Sequence, residues 1–126
     1  YKPVFRDVEE GEWYTKAVLW AYNHGIVSES ESGMFRPADG ATREEMTVMM
    51  YRYAGYLKAD TGRKADLSKF ADAKSVSLFA KDAMQWAVGN GIITGKLQEK
   101  LLDPGNTATR AECAVIIQRF MELYVK

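Results

Sequence analysis

Ala-Thr-Arg-Glu-Glu at 41–45 and Ala-Thr-Arg-Ala-Glu at 108–112 lie 67 positions apart in a chain of 126 residues. They belong to a longer internal repeat. Phe5 and Asp7 match Phe70 and Asp72. Ala17, Trp20, Ala21, Gly25 and Ile26 match Ala83, Trp86, Ala87, Gly91 and Ile92. Pro37 matches Pro104, and Thr42, Arg43, Glu45, Val48 and Arg52 match Thr109, Arg110, Glu112, Val115 and Arg119. The offset drifts from 65 to 67, so loops differ while helices keep register. A repeat of this size points to two small units that share a core. We place copy one at 1–57, a polar linker at 58–69 and copy two at 70–126.

Each copy reads as helix, turn, loop, helix. Trp13, Ala17, Trp20, Ala21 and His24 follow helical spacing, as do Phe79, Ala83, Trp86, Ala87 and Asn90. Gly25 and Gly91 then end the helix, since a left-handed C′ residue is usually Gly. Ile26-Val27 and Ile92-Ile93 should plug the core. Pro37 and Pro104 make the following loops poor helix. Thr42 with Glu45, and Thr109 with Glu112, have capping-box spacing and should start the second helix of each copy. Its expected buried stripe is Met46, Met50, Tyr53 and Leu57 in copy one, and Cys113, Ile117, Phe120 and Tyr124 in copy two. Trp20 and Trp86 are expected in the core.

The capping box leaves Arg43 and Arg110 unexplained. Both fall at the first helical position, where the macrodipole disfavours a cation. Arg beside free first-turn amides suits an anion, and a guanidinium grips a carboxylate in bidentate fashion. The competing reading is an internal ion pair with Asp39, Glu44, Asp103 or the Asp near the start of each copy. Trp13, beside charged loops, is a candidate stacking surface for a sugar ring.

Other chemistries find little support. Seventeen basic and seventeen acidic side chains cancel, which argues against nucleic acid or an anionic membrane as the main partner. One Cys and one His, far apart, make no structural zinc site, and we expect no metal and no cofactor. Asp60, Gly62 and Asp66 invite a calcium-loop reading, but Ala71 stands where its last ligand should be Glu. No apolar run approaches the ~20 residues of a membrane span. Adjacent Glu44 and Glu45 diverge on a helix, so paired-carboxylate catalysis is not expected. The start at Tyr1 rather than Met points to a piece of a longer protein.

The ordered motifs Phe5-x-Asp7-Val8, Trp13-Tyr14-x-x-Ala17, Gly25-Ile26-Val27, Phe35-x-Pro37 and Thr42-Arg43-Glu44-Glu45 resemble an S-layer homology repeat, and copy two resembles a second. The resemblance covers nearly the whole chain outside the linker. It implies an all-α fold of tandem helix–loop–helix repeats, part of a pseudo-threefold arrangement that usually has three. It implies a non-catalytic anchor at the bacterial cell surface, binding a secondary cell-wall polysaccharide that is often pyruvylated and so anionic. Carried over by position, the ligand-binding residues are Arg43, Arg110, Asp7, Asp72 and Gly95, with Trp13 added from its stacking chemistry. The family's Gly-Ile-[Val/Ile]-x-Gly turn survives at 91–95, whereas Glu29 replaces its last Gly in copy one and would crowd or repel an anion. A third repeat or other copies of the chain would complete the arrangement. The alternative function is a protein-assembly module that packs only with other repeats.

Overall fold

The computed structural model describes residues 4–28, 33–95 and 100–124. Among them four helices form: α1 Thr15–Asn23, α2 Arg43–Tyr56, α3 Lys81–Gly89 and α4 Arg110–Tyr124. Two 3₁₀ turns, Ala73–Ser75 and Leu78–Ala80, lead into α3. No strand occurs among the described residues; Thr42 and Thr107 make an isolated antiparallel bridge. The chain is all-α.

The chain divides into two compact units, Tyr1–Asp39 and Gly40–Lys126. This division cuts across the sequence repeat, because α2 joins the larger unit together with the whole second copy.

The small unit is built on α1. Phe5, Val8 and Val18 are buried, and Tyr14, Tyr22 and Phe35 pack against them. The Phe5 ring centroid lies 5.7 Å from Tyr22 and 5.2 Å from Phe35. Trp13 precedes α1 and is 92% exposed. Trp20, expected in the core, is 45% exposed and tilts over the His24 ring at 4.5 Å. His24 caps the end of α1, its Nδ1 lying 2.7 Å from the Trp20 carbonyl.

The larger unit has the main core. Trp86 is fully buried and donates from Nε1 to the Tyr124 hydroxyl at 2.9 Å. Met84, Ala83, Ala87, Ile92, Ile93, Leu102 and Phe120 belong to the same buried cluster. Two stripe positions differ from expectation. Ile117 is 50% exposed and Leu57 37% exposed, while Ile116, Thr47 and Ala54 take buried places. Helix α2 turns the face bearing Thr47 and Ala54 inward, a rotation that the Met-rich pattern did not reveal.

Helix ends follow local rules. Gly25 and Gly91 adopt φ of 75° and 72°, and the next amides, Ile26 and Ile92, donate back to Ala21 and Ala87. That is the Schellman arrangement. Helix α2 ends the same way with Lys58 at φ 58°, its following amide donating to Ala54.

The 58–69 stretch is laid along the larger unit. Ala65 donates its amide to Gln85 at 2.9 Å, Asn90 donates to the Arg63 carbonyl, and Leu67 is buried. The Asp60 and Asp66 carboxylates accept from the amides of Gly62 and Ser68.

Candidate functional site

Both capping boxes form. Thr42 Oγ1 accepts from Glu45 at 3.1 Å and Glu45 Oε1 accepts from Thr42 at 3.0 Å. Thr109 and Glu112 repeat this at 3.1 and 2.9 Å. The two aspartates of the repeat also act alike. Asp7 accepts from the amides of Phe35 and Arg36, both at 2.7 Å. Asp72 accepts from Leu102 at 2.9 Å and Asp103 at 2.7 Å. The residue before each proline, Arg36 or Asp103, is left-handed, with φ of 61° or 53°. Such a backbone costs on the order of 1–2 kcal/mol in a non-Gly residue. Two charge-assisted bonds from one carboxylate hold it. The Phe35 amide, first, holds the Asp7 carboxyl below its ordinary range, and the Arg36 amide adds to this.

The two arginines differ. Arg43 is only 5% exposed. Its Nη1 pairs with Glu112, and its Nε donates to the Leu102 carbonyl at 2.8 Å. The first amides of α2 are taken as well, Arg43 donating to Asn106 and Glu44 to Pro104. Glu44, also buried, accepts from the amide and hydroxyl of Ser77 at 2.9 and 2.6 Å. The arginine partner is therefore a glutamate of the other copy, not one of the acidic residues expected. Arg110 is exposed, and its side chain makes no hydrogen bond or ion pair among the described residues.

Docking of copy two on the start of α2 leaves a groove of about 270 Å³. It is lined by Arg43, by residues 92–95 and by Ala111, Glu112, Val115, Ile116 and Arg119 of α4. Ile92, Ile93, Val115 and Ile116 make it largely apolar. Gly95, at φ 102°, brings bare backbone to the edge. Arg119 is half-buried and donates from Nη1 to the Ile92 carbonyl at 3.2 Å.

Of the expected ligand residues, Arg43 and Gly95 meet in this groove. Arg110 lies on α4 but does not line it, and Asp72 is engaged beneath the 102–103 backbone. Asp7 and Trp13 belong to the small unit, where Trp13 borders an open depression with Glu12, Lys16 and Leu19. Glu29 lies outside the described residues. The sequence marks Arg119 only as the match of Arg52, with nothing to show that it lines a groove.

A family model described as the S-layer homology domain matches residues 4–47 and 69–114. The chain belongs to the S-layer homology family. Its repeats make a non-catalytic cell-surface anchoring module. An exoglucanase of Acetivibrio thermocellus is 38% identical over 97% of this chain and 11% of its own length. An amylopullulanase of Thermoanaerobacterium thermosulfurigenes is 37% identical over 97% of this chain and 6% of its own. A surface-layer 125 kDa protein of Lysinibacillus sphaericus is 32% identical over 94% of this chain and 10% of its own. The S-layer homology chain thus spans about a tenth or less of these relatives. No described helix is long and apolar enough to cross a membrane.

Proposed function

We propose that this S-layer homology module anchors an exported protein to the bacterial cell wall by binding an anionic, pyruvylated secondary wall polysaccharide. The observation that carries this reading is the groove beside Arg43 and Gly95. Its volume of about 270 Å³ is near the ~300 Å³ lower end for small-ligand sites and suits one sugar ring. Apolar walls accept the non-polar face of that ring. Arginine and exposed backbone accept its polar edge. The enzymes and surface-layer protein among the relatives support the reading, since each carries a matching segment as a small part of its length.

The proposed roles divide by position. Arg43 and Gly95 form the site, Asp7 and Asp72 hold the loops, and Trp13 offers a separate stacking surface in the small unit. The test is co-sedimentation of the chain with purified sacculi before and after acid removal of the secondary polysaccharide. Binding lost on stripping is the expected result. Equal binding to both would show that peptidoglycan itself is the target.

A second reading, assembly with a further repeat, has its own observation. Thr47, Met50 and Ala54 of α2 are buried or half-buried in the larger unit, yet their matches Ala114, Ile117 and Met121 on α4 are exposed. The amides of Arg43 and Glu44 find carbonyls of copy two, whereas Arg110 offers its guanidinium to solvent. Helix α4 thus presents the surface that copy two covers on α2. We assign that surface to a further S-layer homology repeat, on the same or another chain, in a head-to-tail contact. Sedimentation velocity over a wide concentration range should show self-association that Ile117→Asp abolishes. A monomer at every concentration would exclude contact between copies.

A further inference from the structure

Among the described residues, the large apolar side chains most open to water are Trp13 at 92%, Leu78 at 90% and Phe79 at 61% exposed. They stand at matched places. Trp13 lies two residues before α1 and Phe79 two residues before α3. Each is presented by a turn that is tied down. In copy one, Thr15 donates its hydroxyl to the Glu9 carbonyl at 2.5 Å and its amide to the Glu12 carbonyl at 3.2 Å. In copy two, Glu44 holds Ser77 by amide and hydroxyl, and the Ala80 amide donates back to Ser77 at 2.9 Å. Apolar side chains held out by fixed backbone are pre-organised for a partner.

The charges around the two tips are of opposite sign. Residues 9–16 carry three glutamates and one lysine, whereas residues 74–81 carry two lysines and no acid. Two matched positions invert outright: Glu9 matches Lys74, and Lys16 matches Asp82. Glu9, Glu10, Glu12, Lys74 and Lys81 are exposed, and none makes an ion pair among the described residues. Like tips therefore repel, and unlike tips attract.

We propose that the Trp13 tip of one chain docks on the Leu78–Phe79 tip of a second copy. Trp13 packs on Phe79, and Glu9 and Glu12 face Lys74 and Lys81. Aromatic pairing supplies the adhesion and charge supplies the choice of tip. The contact is heterologous, so each chain, having one tip of each kind, can join a row of copies. It buries well under the ~1,000 Å² of a stable interface. Free chains therefore stay apart in sedimentation, and the contact gains strength where copies are held side by side at high effective concentration. It goes beyond the anchor reading, needs no groove and leaves the α4 surface unused.

The experiment is amide chemical-shift mapping of the whole ¹⁵N-labelled chain as its concentration rises into the millimolar range at low salt. All chains carry Ile117→Asp, which takes the α4 surface out. Shifts should appear at 9–16 and 74–82 and shrink with added salt. Glu9→Lys/Glu12→Lys makes both tips basic, and Lys74→Glu/Lys81→Glu makes both acidic, so each variant alone should show none. Mixing the two variants restores unlike tips and should restore the shifts. Phe79→Ser, which keeps every charge, should lose them. Absence of concentration-dependent shifts at the tips overturns the proposal. So do shifts that persist in either charge variant alone, or a mixture that stays silent. If a charge variant does not fold, Phe79→Ser decides, and undiminished shifts in it overturn the proposal. None of these outcomes touches the sacculus experiment, which decides the anchor reading separately.

Discussion

Arg43, at the first turn of α2, forms its ion pair with Glu112 of α4, 69 residues further along the chain. The capping-box glutamate of one copy neutralises the arginine of the other. A single carboxylate thus closes the N-terminus of its own helix, α4, and secures the start of α2.

This pairing separates two arginines that the sequence presents as equivalents. Arg43→Ala should destabilise the larger unit by roughly 3–5 kcal/mol, the cost of breaking a buried pair. Arg110→Ala, at an exposed position, should stay within about 0.5 kcal/mol of wild type. Urea unfolding of both variants checks this. Equal losses would mean that the Arg43 pair contributes nothing beyond a surface charge.

Acid should loosen the loop held by Asp7. The Phe35 amide lowers its folded-state pKa, so the unfolded chain binds the proton more readily. Stability from this group is therefore present above the ordinary value of 3.8 and is lost as pH falls through the lower folded value. Amide exchange at Phe35 and Arg36 should be protected at neutral pH and lose protection in acid. Asp7→Asn should expose both amides already at neutral pH. Unaltered protection in that variant would remove Asp7 from the account.

Gly89 reports how tightly the 58–69 stretch is laid down. A Cβ there would meet the Ala65 nitrogen at 3.0 Å and Lys64 backbone carbons at 3.1 Å. Helix propensity alone favours Gly→Ala by about 1 kcal/mol. Gly89→Ala should nonetheless destabilise, because backbone has to shift and strains the Ala65–Gln85 bond. A stabilised variant in thermal unfolding would show that the stretch yields freely.

Trp86 and Trp20 form a second contrast. Trp86→Ala should cost about 3–5 kcal/mol, as expected of a large buried side chain. Trp20→Ala should cost clearly less, since its ring is nearly half exposed. Comparable losses in calorimetry would mean that Trp20 is covered in solution.

The elements that depend on neighbours in sequence were legible there. Thr42 with Glu45, Thr109 with Glu112, and the turns at Gly25 and Gly91 are local chemistry, and each formed as its residues require. Burial was less legible, for a physical reason. A repeat writes the same letters at positions whose surroundings differ. Trp20 and Trp86, Met50 and Ile117, and Arg43 and Arg110 are matched pairs, and in each the member with a packed neighbour is the more buried. The aspartates hid their work for another reason. Nothing in Phe-x-Asp announces that its carboxylate holds a left-handed residue 29 or 31 positions away. Arg119 was visible only as a repeated basic residue, because a groove exists only once two copies meet.

The most direct measurement is amide chemical-shift mapping of the ¹⁵N-labelled chain during titration with polysaccharide released from sacculi. The account predicts shifts concentrated at 92–95 and along 111–119, diminishing with salt. Shifts confined to the Trp13 region, or none at saturating polysaccharide, would contradict the groove as the binding site.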